Sequence, residues 1–139
     1  MPQNDIFLPM GALAFWTFIV LTLVPLRRIR ASRAGKVKPG EFKYGESAKV
    51  PGEVTIPNRN YMNLLEGPVL FYTVCLMFYV TARVDTPALD LAWGFVALRV
   101  VHSAVHLTYN NVEHRALIFA VGKFVLLAMW VLFFALVFW

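Results

Sequence analysis

The chain has 139 residues, 59% of them hydrophobic, and a formal net charge of +5. Mean hydropathy is +0.62. A soluble domain of this length shows about 45–50% apolar residues by a broader count that includes Gly, so the excess points to the bilayer. The positive charge is not spread evenly: nine of the thirteen Lys and Arg lie between Arg27 and Arg59. That block sits between two apolar runs with little aromatic interleaving, which argues for a membrane-flanking loop and against nucleic-acid binding.

About 20 apolar residues cross a bilayer core as a helix. In chain order the sequence predicts spans over about 6–26, 59–82, 89–109 and 115–139, within a single domain covering 1–139. The first span has no positive n-region before it and no small-residue cleavage pattern after it, so it is expected to be a retained helix. It ends at Pro25, followed by Arg27, Arg28 and Arg30. Residues of about 27–58 carry several Gly and Pro, mixed charge and no helical apolar period, and read as a polar loop. The break Asp85-Thr86-Pro87 precedes the third span. Short connections elsewhere make the helices antiparallel neighbours, so the fold class is an all-α, four-helix membrane bundle. The Lys and Arg excess places the long loop in the cytoplasm and both termini on the opposite side. Cys75 lies alone in an apolar run and cannot form an intramolecular disulfide. Trp93 and Trp139 fall near span ends, as in an aromatic belt, whereas Trp16 and Trp130 sit deeper.

Against this background the polar residues inside the spans stand out, because a charge near the bilayer centre faces a bundle interior or marks a site. At about 100° per residue, Asn63 lies roughly 40° from Arg59 and Glu66 roughly 20° to the other side. On the third span Arg99, His102, His106 and Tyr109 fall within an arc of roughly 80°. On the fourth, Arg115, Phe119 and Lys123 follow at i, i+4 and i+8. These stripes have a structural reading, in which Arg59 or Arg99 pairs with Glu66 to pin helix register, and an interfacial one, in which cations snorkel to headgroups. The structural reading leaves the charge unbalanced, since Arg59, Arg99, Arg115 and Lys123 outnumber Glu66 and Glu113, whereas the interfacial one leaves each cation to the headgroups. A small zwitterionic ligand with excess negative charge does balance it. A tripeptide with two carboxylates, one ammonium and a thiol fits: arginines bind carboxylates bidentately, Glu66 accepts the ammonium, and a nearby arginine favours the thiolate.

The pattern Arg59-x-x-x-Asn63-x-x-Glu66-x-Pro68 resembles the second-helix signature of the MAPEG family, the membrane-associated proteins in eicosanoid and glutathione metabolism. The segment RVVHSAVHLTYNNVEHRA, Arg99 to Ala116, resembles the third helix and following loop of the prostaglandin E synthase branch. The resemblance extends to length, four-span layout and the basic loop. It implies a homotrimer in membrane lipid that binds glutathione as co-substrate in a cleft between subunits, with a small lipophilic second substrate. It implies glutathione-binding roles for Arg28, Arg59, Asn63, Glu66, Arg99 and His102, and thiolate stabilisation by Arg115. The chain departs from the branch at His106, where the branch has a Tyr, and at Phe119, where relatives often carry a polar aromatic. Both His106 and Tyr109 are candidates for the group that donates to the sulfur.

The expected function is therefore a glutathione transferase or peroxidase acting on lipophilic electrophiles or lipid hydroperoxides. The alternatives are a non-catalytic membrane scaffold or lipid-binding trimer of the same architecture, and a metal or haem protein. His102 and His106 have the i, i+4 spacing of a shared metal, but further ligands are lacking and both face one side, so no metal is expected.

Overall fold

The computed structural model describes residues 2–138; Met1 and Trp139, with its aromatic-belt expectation, lie outside them. The described residues are mainly helical, with no strand, and form α1 (Phe7–Arg33), α2 (Gly52–Glu66), α3 (Pro68–Val80), α4 (Thr86–Leu107) and α5 (Val112–Phe138). Four segments are long and apolar enough to cross a membrane: Gln3–Arg33, Gly52–Val80, Thr86–Leu107 and Val112–Phe138.

Two boundaries differ from the sequence expectation for a physical reason. Helix α1 does not stop at Pro25 but runs on to Arg33. Hydropathy falls after Leu26, yet Arg and Ala are strong helix formers, and Pro25 forfeits only one backbone bond. The second span begins at Gly52, not Arg59. Pro51, Gly52 and Pro57 resemble loop punctuation, but Val54, Thr55 and Pro57 are buried, and that packing overrides propensity. The polar connection thus shrinks to residues 34–51. A positive φ of 70° at Gly35 lets the chain reverse, with Lys36 N–H donating to the Ala31 carbonyl at 2.9 Å. Ala31, Val37, Val50 and Val54 then form a small separate apolar cluster beneath the connection.

The second span is broken once. Gly67 joins α2 to α3 and Pro68 opens α3, because Pro lacks the N–H that would continue the ladder. The main core lies deeper: Leu13, Val20, Phe71, Val74, Phe78, Phe95, Met129 and Phe133 are buried together. Phe71 stacks on Phe95 with centroids 4.8 Å apart. Cys75 belongs to this core as a small buried side chain. At the far end, the Gln3 side-chain amide donates to the Val84 carbonyl at 3.2 Å and accepts from the Val84 N–H at 2.8 Å. This clamps the N-terminal turn to the α3–α4 connection.

Many large apolar side chains remain exposed, including Phe15, Phe18, Val80, Phe124 and Phe138. In water such a surface is an aggregation liability; in lipid it is the required coat.

Candidate functional site

The polar stripes of α2, α4 and α5 converge at the end of the bundle that carries the long connection. A cavity of about 340 Å³ opens there, lined by Ile56, Asn58, Arg59, Met62, Asn63, Glu66, His106, Asn110 and Arg115. A second hollow of about 220 Å³ adjoins it through Asn63 and Arg115 and adds His102 and Phe119. Helical spacing explains the convergence. Arg59, Asn63 and Glu66 share one face of α2, and His102 and His106 share one face of α4. The connection after Leu107 is short, so it returns Arg115 to the same level.

Each element fixes its side chain differently. Arg115 donates to the Asn110 side-chain oxygen, and Asn110 itself has a φ of 50°. That left-handed conformation suits Asn better than most residues. Asn63 turns its amide back to donate to the Arg59 carbonyl at 3.1 Å. Arg99 is the deepest cation, only 2% exposed. It donates to the Asn63 backbone carbonyl at 2.6 Å. Its guanidinium carbon sits 5.9 Å from the Phe95 ring centroid and 5.5 Å from that of Phe119. The His102 and His106 rings lie 6.0 Å apart, edge to face. His102 Nδ1, His106 Nδ1 and the Nε atoms of Arg99 and Arg115 are buried without a protein partner.

The ion pairs that the sequence allows within these stripes do not form. Among the described residues the salt bridges are Arg28–Glu46 at 3.0 Å and Lys36–Glu53 at 2.7 Å, both at the connection. Glu66 pairs with neither Arg59 nor Arg99. The purely structural reading of the stripes therefore loses its central contact.

Seven of the nine predicted site residues, namely Arg59, Asn63, Glu66, Arg99, His102, His106 and Arg115, gather around the two hollows. Two lie elsewhere. Arg28 is held by Glu46 and lies 4.6 Å over the Phe42 ring. Tyr109 falls beyond α4, exposed, with its hydroxyl 3.2 Å from His114 Nδ1. Among the described residues no three His, Cys, Asp or Glu gather into a metal-binding group.

Asn110, Asn60 and Ser103 escaped the sequence reading, as did the place that Lys123 takes in the fold. Asn110 positions Arg115, and the Asn-Asn pair before a helix start was its visible signal. Lys123 approaches the joint between α2 and α3: its Nζ lies 3.3 Å from where a Gly67 Cβ would sit, beside the Arg99 guanidinium at 3.6 Å. A side chain at 67 would crowd the Lys123 ammonium, which would have to shift by a few tenths of an ångström. Asn60 and Ser103, fully buried, join α2 to α4 through a 2.6 Å hydrogen bond. Asn60 lies about 100° round the helix from Arg59, so it faces α4 and not the cavity.

Four apolar helical segments enclosing a cation-rich cleft near one end define a multi-pass helical membrane protein. The MAPEG family profile matches residues 6–135, and the chain belongs to that family. No curated protein and no solved structure gives a significant match.

Proposed function

We propose that the protein is a glutathione-dependent membrane enzyme that binds the tripeptide in the cleft between α2, α4 and α5 and ionises its thiol. The observation that carries this reading is the charge of the cleft. Arg59 and Arg115 line it with Glu66 as the one carboxylate, and Arg99 and Lys123 stand behind it at the Asn63 carbonyl and Gly67. Arg99 is buried without a counter-ion, which is costly, and Arg115 is half-buried; a ligand bearing two carboxylates, a thiolate and one ammonium supplies the missing charge. A volume of about 340 Å³ also falls within the range of small-molecule sites.

The residues divide the work by position. Arg59 and Arg99 are suited to carboxylates, whose two oxygens match a guanidinium fork. Glu66 accepts from the ligand ammonium, and Asn63 exchanges hydrogen bonds with a peptide group. Arg115, oriented by Asn110, faces the sulfur and stabilises its negative charge, which lowers the thiol pKa. His106, which lines the same cavity as Arg115, is suited to a hydrogen bond to the sulfur. In conjugation the sulfur lone pair forms a bond to the electrophilic carbon, and the displaced electron pair leaves with the leaving group or takes up a proton. In peroxide reduction two thiols are oxidised to a disulfide while the O–O bond is reduced to alcohol and water. Both use the same thiolate, held close to a lipophile that arrives from the bilayer.

The exposed side of the cleft, where Arg59 and Glu66 lie, is the side a neighbouring subunit would close in a homotrimer. The basic connection is assigned to the cytoplasm by the positive-inside rule.

The test is a thiolate difference spectrum in the ultraviolet, recorded as glutathione is titrated into detergent-purified protein, with Arg115→Ala alongside. A saturable signal in the parent, lost in a variant that keeps its assembly, supports the reading. Absence of both signal and binding in the parent refutes it.

A further inference from the structure

The basic connection builds a second polar cavity that the glutathione reading leaves unused. Its volume is about 240 Å³, and it is lined by Arg27, Arg30, Ala31, Ala34, Lys36, Glu53 and Val54. On α1, Arg27, Arg30, Ala31 and Ala34 recur at i, i+3, i+4 and i+7, which places them on one face. The two alanines leave space where longer side chains would fill the groove against α2. Ala31 and Val54 give it a buried apolar floor.

The rim is cationic and organised. Reversal of the chain at Gly35 brings the Lys36 ammonium back across the groove to Glu53. Arg27 and Arg30 make no salt bridge and no side-chain hydrogen bond among the described residues, whereas Arg28 between them is committed to Glu46. The cavity thus holds one compensated pair and two free guanidinium groups. Arg27 directly follows Leu26, the last residue of the apolar run. A cavity with an apolar floor and a cationic rim at the end of a membrane span sits at headgroup depth.

We propose that this groove binds the phosphodiester of an anionic membrane phospholipid. Arg27 and Arg30 clasp the phosphate oxygens, the acyl chains descend along the apolar surface of α1, and Glu53 accepts from a hydroxyl of the headgroup. Guanidinium forks match phosphate geometry bidentately. The lipid source is favoured over free phosphate because the floor and the neighbouring α1 surface are apolar.

The experiment is native mass spectrometry of the full-length protein from mixed micelles containing equal phosphatidylglycerol and phosphatidylcholine. The parent is expected to retain phosphatidylglycerol selectively. Arg27→Gln with Arg30→Gln should weaken that retention by about fivefold for each arginine removed, or roughly twenty-five-fold together. Arg33→Gln with Lys49→Gln removes the same charge outside the cavity and should leave retention intact. Three results would overturn the proposal: no preference in the parent, equal loss in both double variants, which indicates diffuse charge attraction, or displacement of the lipid by millimolar inorganic phosphate. The readout is independent of glutathione.

Discussion

The bond between Asn60 and Ser103 offers the sharpest test of the packing. Ser103→Ala removes a hydroxyl that is 0% exposed and leaves the Asn60 amide donor buried alone. Asn60 Oδ1 already lacks a partner, so the loss would leave the whole amide without a side-chain hydrogen bond. An unsatisfied buried donor costs about 1–3 kcal/mol. Measured interhelical hydrogen bonds in membrane proteins are weaker, with a ceiling of about 1.7 kcal/mol. The expected loss for Ser103→Ala is therefore about 1–1.5 kcal/mol, read from denaturant-driven unfolding in mixed detergent micelles. Adding Asn60→Leu to Ser103→Ala replaces both partners with apolar groups, and most of the loss should return. Glutathione binding should not change, because Asn60 lies off the cavity-lining face. A neutral Ser103→Ala, or a double variant no better than the single one, would refute the claim that this pair fixes α2 against α4.

Asn110→Gly keeps the left-handed backbone but deletes the acceptor that orients Arg115; the thiolate signal should persist with glutathione affinity reduced about fivefold, as for loss of one ordinary hydrogen bond. Gly67→Ala gains about 1 kcal/mol of helix propensity but crowds Lys123 and Arg99; it should stabilise the protein more in a Lys123→Ala background than in the parent, as melting curves would register. Gln3→Ala breaks both bonds to Val84 and should raise hydrogen exchange around residues 81–85 more than elsewhere, with a global loss of about 1–2 kcal/mol.

How much of this was legible in the sequence follows from which forces leave local marks. Apolar length alone located the four spans, and period 3.6 placed Arg59, Asn63 and Glu66 on one face. The C-terminal end of α1 and the start of α2 are not legible, since Pro25 and Pro57 look like terminators and only tertiary burial of Val54 and Thr55 shows otherwise. Charge counting exposed the cation surplus of the cleft, but not that Glu66 would stay apart from Arg59 and Arg99. The roles of Asn60 and Lys123 depend on which neighbour a helix face meets. Arg28 shows the same limit: Arg27, Arg28 and Arg30 look equivalent, yet one is committed to Glu46 and the other two line a different cavity.

The small apolar cluster beneath the connection bears on how this protein can be handled. Val37 and Val50 are its inner anchors, so the segment between them is a stitched flap and not a slack tether. Its outermost point is Tyr44, 91% exposed, beside Gly45 with a φ of 97°. A reporter tag or epitope spliced between those two residues would hang outside the flap without pulling its stitches. The same insertion next to Val37 or Val50 would unseat the end of α1, and with it the groove formed by Arg27 and Arg30.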